Sequence, residues 1–240
     1  GSGNVYTSNL RSNNVTKITP AGVSTILGTT GQQPIDVAVD ADGNVYTTNY
    51  VDSTVTKITP GGVSSTLGAT GSRPLGIVLD RDSNVYTADE GSDTVTKITP
   101  DGVASTLGST GAWPQAITID TAGNVYTANW NARSVSKITP SGRSKIIGRT
   151  GRRPIGITID LNGNIYTTND GANSVSRIVA GGKSKVIART GRRPIGIASD
   201  AAGFLYTANF LSNSVTEVYP GRKASPNVLT LDTITVRAPR

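Results

Sequence analysis

Short runs of alternating apolar and polar residues make up this chain, and they return in step. In one copy, residues 34–40 are rich in branched side chains (Ile35, Val37, Val39) and predict a first strand, with Ala41, Asp42 and Gly43 as the turn behind it. Residues 44–49 alternate and predict a second strand, and residues 50–53 a loop. Residues 54–59 predict a third strand, stopped by Pro60, which cannot donate to a ladder; Gly61 and Gly62 then supply the hairpin turn. Residues 63–67 predict the fourth, and residues 68–73 lead to Pro74, where the cycle restarts. The Tyr-Thr pair that marks each copy falls at Tyr6, Tyr46, Tyr86, Tyr126, Tyr166 and Tyr206, a period of 40 residues without insertion or deletion, so six units fill the 240 residues.

Four short strands per unit of about 40 residues is the arithmetic of a propeller blade, whereas stacked helix pairs would need a 3.6-residue periodicity that is missing here. The expectation is an all-β fold: a six-bladed β-propeller with four antiparallel strands per blade, forming one domain over residues 1–240, with Gly1 and Ser2 an expression scar. Because the chain begins at a second strand, the strand-like run Leu231–Arg237 is expected to close the ring by pairing into the N-terminal blade, which would leave no open sheet edge. Alternating strand direction puts the loop before each first strand and the loop after each second strand at one end, here called the top.

Composition adds exclusions. No apolar run is long enough to cross a membrane as a helix, so no membrane insertion is expected. Cys, Met and His are absent. Without His, acid–base work near neutral pH would fall to a carboxylate or Lys of strongly shifted pKa, and there is no nucleophilic Cys. Neither a catalytic set nor a metal or cofactor site is expected. Charge is lopsided: residues 1–120 hold 6 Lys+Arg against 11 Asp+Glu, and residues 121–240 hold 17 against 5.

The run Asn164–Ile178 resembles the YVTN surface-layer repeat, and the pattern Pro-x-Gly-Ile, Asp-x-x-Gly-Asn-x-Tyr-Thr, Lys-Ile-Thr-Pro-x-Gly resembles an NHL repeat. The Arg-Arg-Pro-Ile-Gly-Ile and Lys-Ile-Thr-Pro-x-Gly phrases are similar to the blades of virginiamycin B lyase. The resemblance covers the whole chain and implies a propeller. It favours an extracytoplasmic or cell-surface setting, and its functions range from binding domains to a few enzymes. The lyase is understood to use a His for proton transfer, and no position here matches it.

The repeated Asp40, Asp80, Asp120, Asp160 and Asp200 are expected to bind backbone N–H groups in turns. Asn9, Asn49, Asp89, Asn129, Asn169 and Asn209, at the ends of the second strands, are expected to tie down loops, with Asn129, Asn169 and Asn209 also candidate ligand contacts. The series Lys17, Lys57, Lys97, Lys137, Arg177 and Glu217 is expected to lie in blade grooves with snorkelling stems. The sharpest feature is Arg149, Arg152, Arg153 and its copy Arg189, Arg192, Arg193. The matching positions before Pro elsewhere are Gln32-Gln33, Ser72-Arg73 and Ala112-Trp113, so folding does not demand Arg. With Trp113, Trp130 and Phe210 on adjoining loops, these arginines predict a surface for an anionic polymer or acidic ligand, with nucleic acid or acidic protein as alternatives, on a monomeric protein. A lyase- or lactonase-like enzyme and a ligand-free structural or engineered scaffold are the other readings.

Overall fold

The computed structural model describes residues 3–200, 202–219 and 227–230, and no helix occurs among them. Two compact units emerge, Gly1–Ser109 and Thr110–Arg240.

In the first unit, β1 (Val5–Asn9), β2 (Asn14–Ile18) and β3 (Ser24–Thr29) form a three-stranded antiparallel sheet. Two four-stranded sheets come next: β4 (Pro34–Val39), β5 (Val45–Asn49), β6 (Thr54–Ile58) and β7 (Ser64–Ala69), then β8 (Pro74–Leu79), β9 (Val85–Asp89), β10 (Thr94–Ile98) and β11 (Ala104–Ser109). The second unit holds three four-stranded sheets. They are β12 (Pro114–Ile119), β13 (Val125–Asn129), β14 (Ser134–Ile138) and β15 (Ser144–Arg149); β16 (Pro154–Ile159), β17 (Ile165–Asn169), β18 (Ser174–Ile178) and β19 (Ser184–Arg189); and β20 (Pro194–Ser199), β21 (Leu205–Asn209), β22 (Ser214–Val218) and β23 (Asn227–Thr230). Sequential meanders of this kind are what the 40-residue alternation demands. The expected closing strand Leu231–Arg237 lies outside the described residues, and the first sheet shows three strands rather than four among them.

In the four-stranded sheets burial is densest on the two middle strands, and the outer strand is wet on both faces, as in β15. The cores lie between neighbouring sheets: Val15 of β2 meets Val45 and Ile58 of the next sheet, and Tyr126, Ala128 and Val135 meet Ile157, Ile165 and Ile178. Each fully buried Ile or Val side chain contributes about 1.5–3 kcal/mol. The close approach has one visible steric requirement: a Cβ on Gly148 would stand 2.9 Å from the Ile178 side chain, so the outer strand carries Gly where the next sheet's Ile docks.

The turn between first and second strands is built as expected. Asp120 accepts from the backbone N–H of Asn124 at 2.8 Å, from the Asn124 amide at 2.8 Å and from the Tyr126 hydroxyl at 2.9 Å. Burial alone would raise its carboxyl, but these donors outweigh it and hold the pKa below the ordinary value. The same set recurs around Asp40, Asp80 and Asp160. Burial and the facing carboxylate push the Tyr166 hydroxyl up to about 12.

Candidate functional site

The site is built on the Asx residue that ends each second strand. In the second unit Asn169 is buried, and its amide donates to Ser174 at 3.1 Å and to Ser176 at 2.9 Å. Ser176 in turn accepts the backbone N–H of Gly151 at 3.0 Å, and a Cβ on Gly151 would meet the Asn169 amide at 2.8 Å. The loop therefore lies flat on the Asn, and only Gly fits there. Asn129 and Asn209 repeat the arrangement through Gly111 and Gly191. These three asparagines thus underlie the loops and do not reach the surface that the loops present.

Two residues beyond each of these glycines, and beyond the matching Gly31 and Gly71, the backbone takes an unusual conformation. Gln33, Arg73, Trp113, Arg153 and Arg193 have φ of 54°, 55°, 61°, 56° and 52°, and each immediately precedes a Pro. Left-handed backbone suits Gly and Asn, and a residue before Pro is normally driven to extended conformations at negative φ. The turn is fixed by neighbours: the Arg153 carbonyl accepts from Asp170 N–H at 2.9 Å, and Arg193 N–H donates to the Asn173 side chain at 2.9 Å. Bulky side chains thus occupy strained positions that glycine would fill without strain.

In the second unit those side chains line up across three sheets. Trp113 stacks on Trp130 with ring centroids 5.3 Å apart and planes 19° apart. The Arg153 guanidinium sits 4.8 Å from the Trp130 ring centre. Arg193 lies 5.3 Å from the Phe210 ring and bonds Asp170 through Nε at 3.0 Å. Each residue before a Pro thus lies against the residue after a second strand, on its own sheet or the preceding one. A shorter counterpart exists in the first unit, where Arg73 lies 5.9 Å over the Tyr50 ring and the Tyr50 hydroxyl donates to Glu90 at 3.3 Å.

Electrostatically, the row is not uniformly positive. Arg193 is partly neutralised by Asp170, whose side chain is only 9% exposed, against 47% for Arg193. Arg149, Arg152, Arg189 and Arg192 are exposed and have no side-chain partner among the described residues. Arg152 and Arg192 belong to the row, whereas Arg149 and Arg189 end the outer strands β15 and β19. Trp113 is 45% and Phe210 57% exposed, so two large apolar surfaces remain in water on these loops. Asp170 was placed on an adjoining loop by the sequence, but its pairing with Arg193, the φ values and the stacking order went unread. No group of three or more His, Cys, Asp or Glu side chains is placed to hold a metal ion among the described residues.

The family model for the virginiamycin B lyase family matches residues 1–232. This chain belongs to that family. Its fold is also that of solved relatives: the virginiamycin B lyase of Staphylococcus aureus superposes with a TM-score of 0.83 at 17% identity, covering 97% of this chain and 82% of that one. A catalytically inactive His-to-Ala variant of that enzyme, solved with quinupristin, gives 0.81 at 17% identity over 98% and 82%. A chain of a nidogen/laminin complex gives 0.73 at 19% identity over 94% and 92%. No curated protein matches the chain by sequence. The virginiamycin B lyase family is thus represented here by a chain whose 240 residues include no His.

Proposed function

We propose that this member of the virginiamycin B lyase family is a binding propeller, its loops at residues 150–153, 190–193 and neighbouring positions engaging an anionic partner without chemistry. The observation that carries the reading is the set of guanidinium–ring stacks on positive-φ backbone, 4.8 Å at Arg153 and 5.3 Å at Arg193. The left-handed backbone recurs at Gln33 and so belongs to the frame; what distinguishes these loops is the Arg and ring side chains they carry there. Exposed forks beside exposed rings suit a sulfated or carboxylated polymer, whose acid groups take the forks while its sugars lie on Trp113 and Phe210. An acidic glycan or envelope polymer is the first choice, nucleic acid the second. Six blades closed in a ring, as one domain, is the architecture this reading assumes, supported by the six-fold period and the likeness to the lyase.

The test is affinity for heparin and for single-stranded DNA at rising salt, in wild type and in a variant with Arg152, Arg153, Arg192 and Arg193 all changed to Ala. Binding that falls with salt and is lost in the variant supports the proposal. Equal binding by both proteins, or by neither, ends it.

The family match favours one second reading, a lyase acting on a streptogramin-like cyclic peptide. With no His to carry the proton, a carboxylate or Lys would have to serve. Incubation with quinupristin, and then chromatography for loss of intact compound, distinguishes the two.

A further inference from the structure

A second basic feature lies at the opposite end of the second unit, where the turns are. In the register of β14 and β15, Lys137 stands directly opposite Lys145, and Arg177 stands opposite Lys185 in the next sheet. The same position on the earlier sheets pairs Lys17 with Thr25, Lys57 with Ser65 and Lys97 with Ser105. Like charges directly opposite one another oppose sheet formation, so the second cation is an addition that the fold does without elsewhere. Neither Lys137 nor Lys145 has a carboxylate partner among the described residues. Lys137 only lies over the Tyr126 ring, 5.5 Å from its centre.

Both lysines line a cleft of about 510 Å³ between this sheet and the next, with Ile147 beside Lys145 on the same strand and Ile165, Val179 and Ala180 contributed by the next sheet. Lys137 and Lys145 also line an adjoining recess of about 400 Å³ together with Arg143. The larger volume falls in the range of small-molecule sites, about 300–1,000 Å³. Two cations opposite one another in register, beside apolar side chains of both sheets, are complementary to one kind of molecule.

We propose that this cleft binds a free medium-chain carboxylate, with the head between Lys137 and Lys145 and the chain against Ile147, Ile165 and Val179. The site is independent of the arginine-bearing loops at the other end. Octanoate is titrated calorimetrically into wild type and Lys145→Ser, with octanol and acetate as fragments. The serine is the residue that the second and third sheets carry at this position, and circular dichroism checks the fold. Octanoate binds wild type at least tenfold more tightly than either fragment, and Lys145→Ser loses on the order of tenfold, as expected for one contact worth about 1.4 kcal/mol. Methyl resonances of Ile147, Ile165 and Val179 in the wild-type protein shift on octanoate addition, a readout independent of any variant. Binding no tighter than a fragment, binding unchanged in Lys145→Ser, or shifts confined to other methyls overturns the proposal.

Discussion

The left-handed residues before each Pro make a prediction in which strain and contact pull in opposite directions. Arg153 has φ of 56° and lies over Trp130. A non-glycine residue in this region costs about 1–2 kcal/mol. Its exposed cation–ring contact returns about 0.5–1 kcal/mol. Replacing Arg153 by Ala forfeits the contact and keeps the strain, so stability falls by about 0.5–1 kcal/mol. Replacing it by Gly forfeits the same contact but removes the strain, while the freer unfolded chain costs about 0.5–1 kcal/mol. The Gly variant therefore comes out near wild type and about 0.5–1 kcal/mol above Ala. In thermal melts of a chain this size, 1 kcal/mol moves the midpoint by about 2–4 °C, and urea denaturation reads the same difference directly. Arg193 obeys the same order, with the Asp170 ion pair adding at most about 1 kcal/mol to the loss in both variants. An Ala variant as stable as the Gly variant, or more so, would refute the claim that these positions store strain.

Two further predictions concern carboxylates. Asp89 is fully buried where the other sheets place Asn, and burial raises its pKa despite donors from Thr87, Thr94 and Thr96. A raised folded-state pKa means that stability is lost as pH rises through it, so Asp89→Asn stabilises by on the order of 1 kcal/mol at pH 7, and the gain shrinks toward the unfolded value of 3.8; denaturation at pH 7 and pH 4 measures both. Tyr126→Phe removes the hydroxyl donor to Asp120 and costs on the order of 1 kcal/mol at pH 7. Asp120 is depressed in the fold, so that cost is present above 3.8 and fades as pH falls through the lower folded value, which melts across the acid range would track.

The strands were legible because alternation and punctuation act locally. Pro34, the Asp40–Gly43 turn and Pro60 bracket strands whose observed limits, Pro34–Val39, Val45–Asn49 and Thr54–Ile58, differ from expectation by one residue. The turn role of the Asp series was readable for the same reason, since the side chain bonds backbone two to four residues away. The stacking order of the loops was not, because the residues carrying positive φ are Gln, Arg and Trp, types that ordinarily signal nothing about backbone. Asp170 and Arg193 are 23 positions apart and meet only once two sheets pack. The paired lysines fall between these cases. Lys137 and Lys145 flank the Pro140–Gly142 turn symmetrically, so hairpin register alone would have set them opposite each other; reading strands one at a time concealed it.

Variation among the copies separates scaffold from purpose more sharply than charge alone. The Asx anchor, the flat Gly and the Pro recur in each loop, and they fix a left-handed residue between two neighbours whatever its side chain. That position is therefore free to differ: Gln33, Arg73, Trp113, Arg153 and Arg193 all fit. A frame that tolerates any side chain at a strained, solvent-facing point can be fitted to a ligand one loop at a time, without disturbing the cores that Ile157 and Ile178 help to form. The same frame supports a lyase in a relative with a catalytic His. Under the binding role proposed above, changing the loop residues while keeping this frame redirects it from turning a ligand over to holding one.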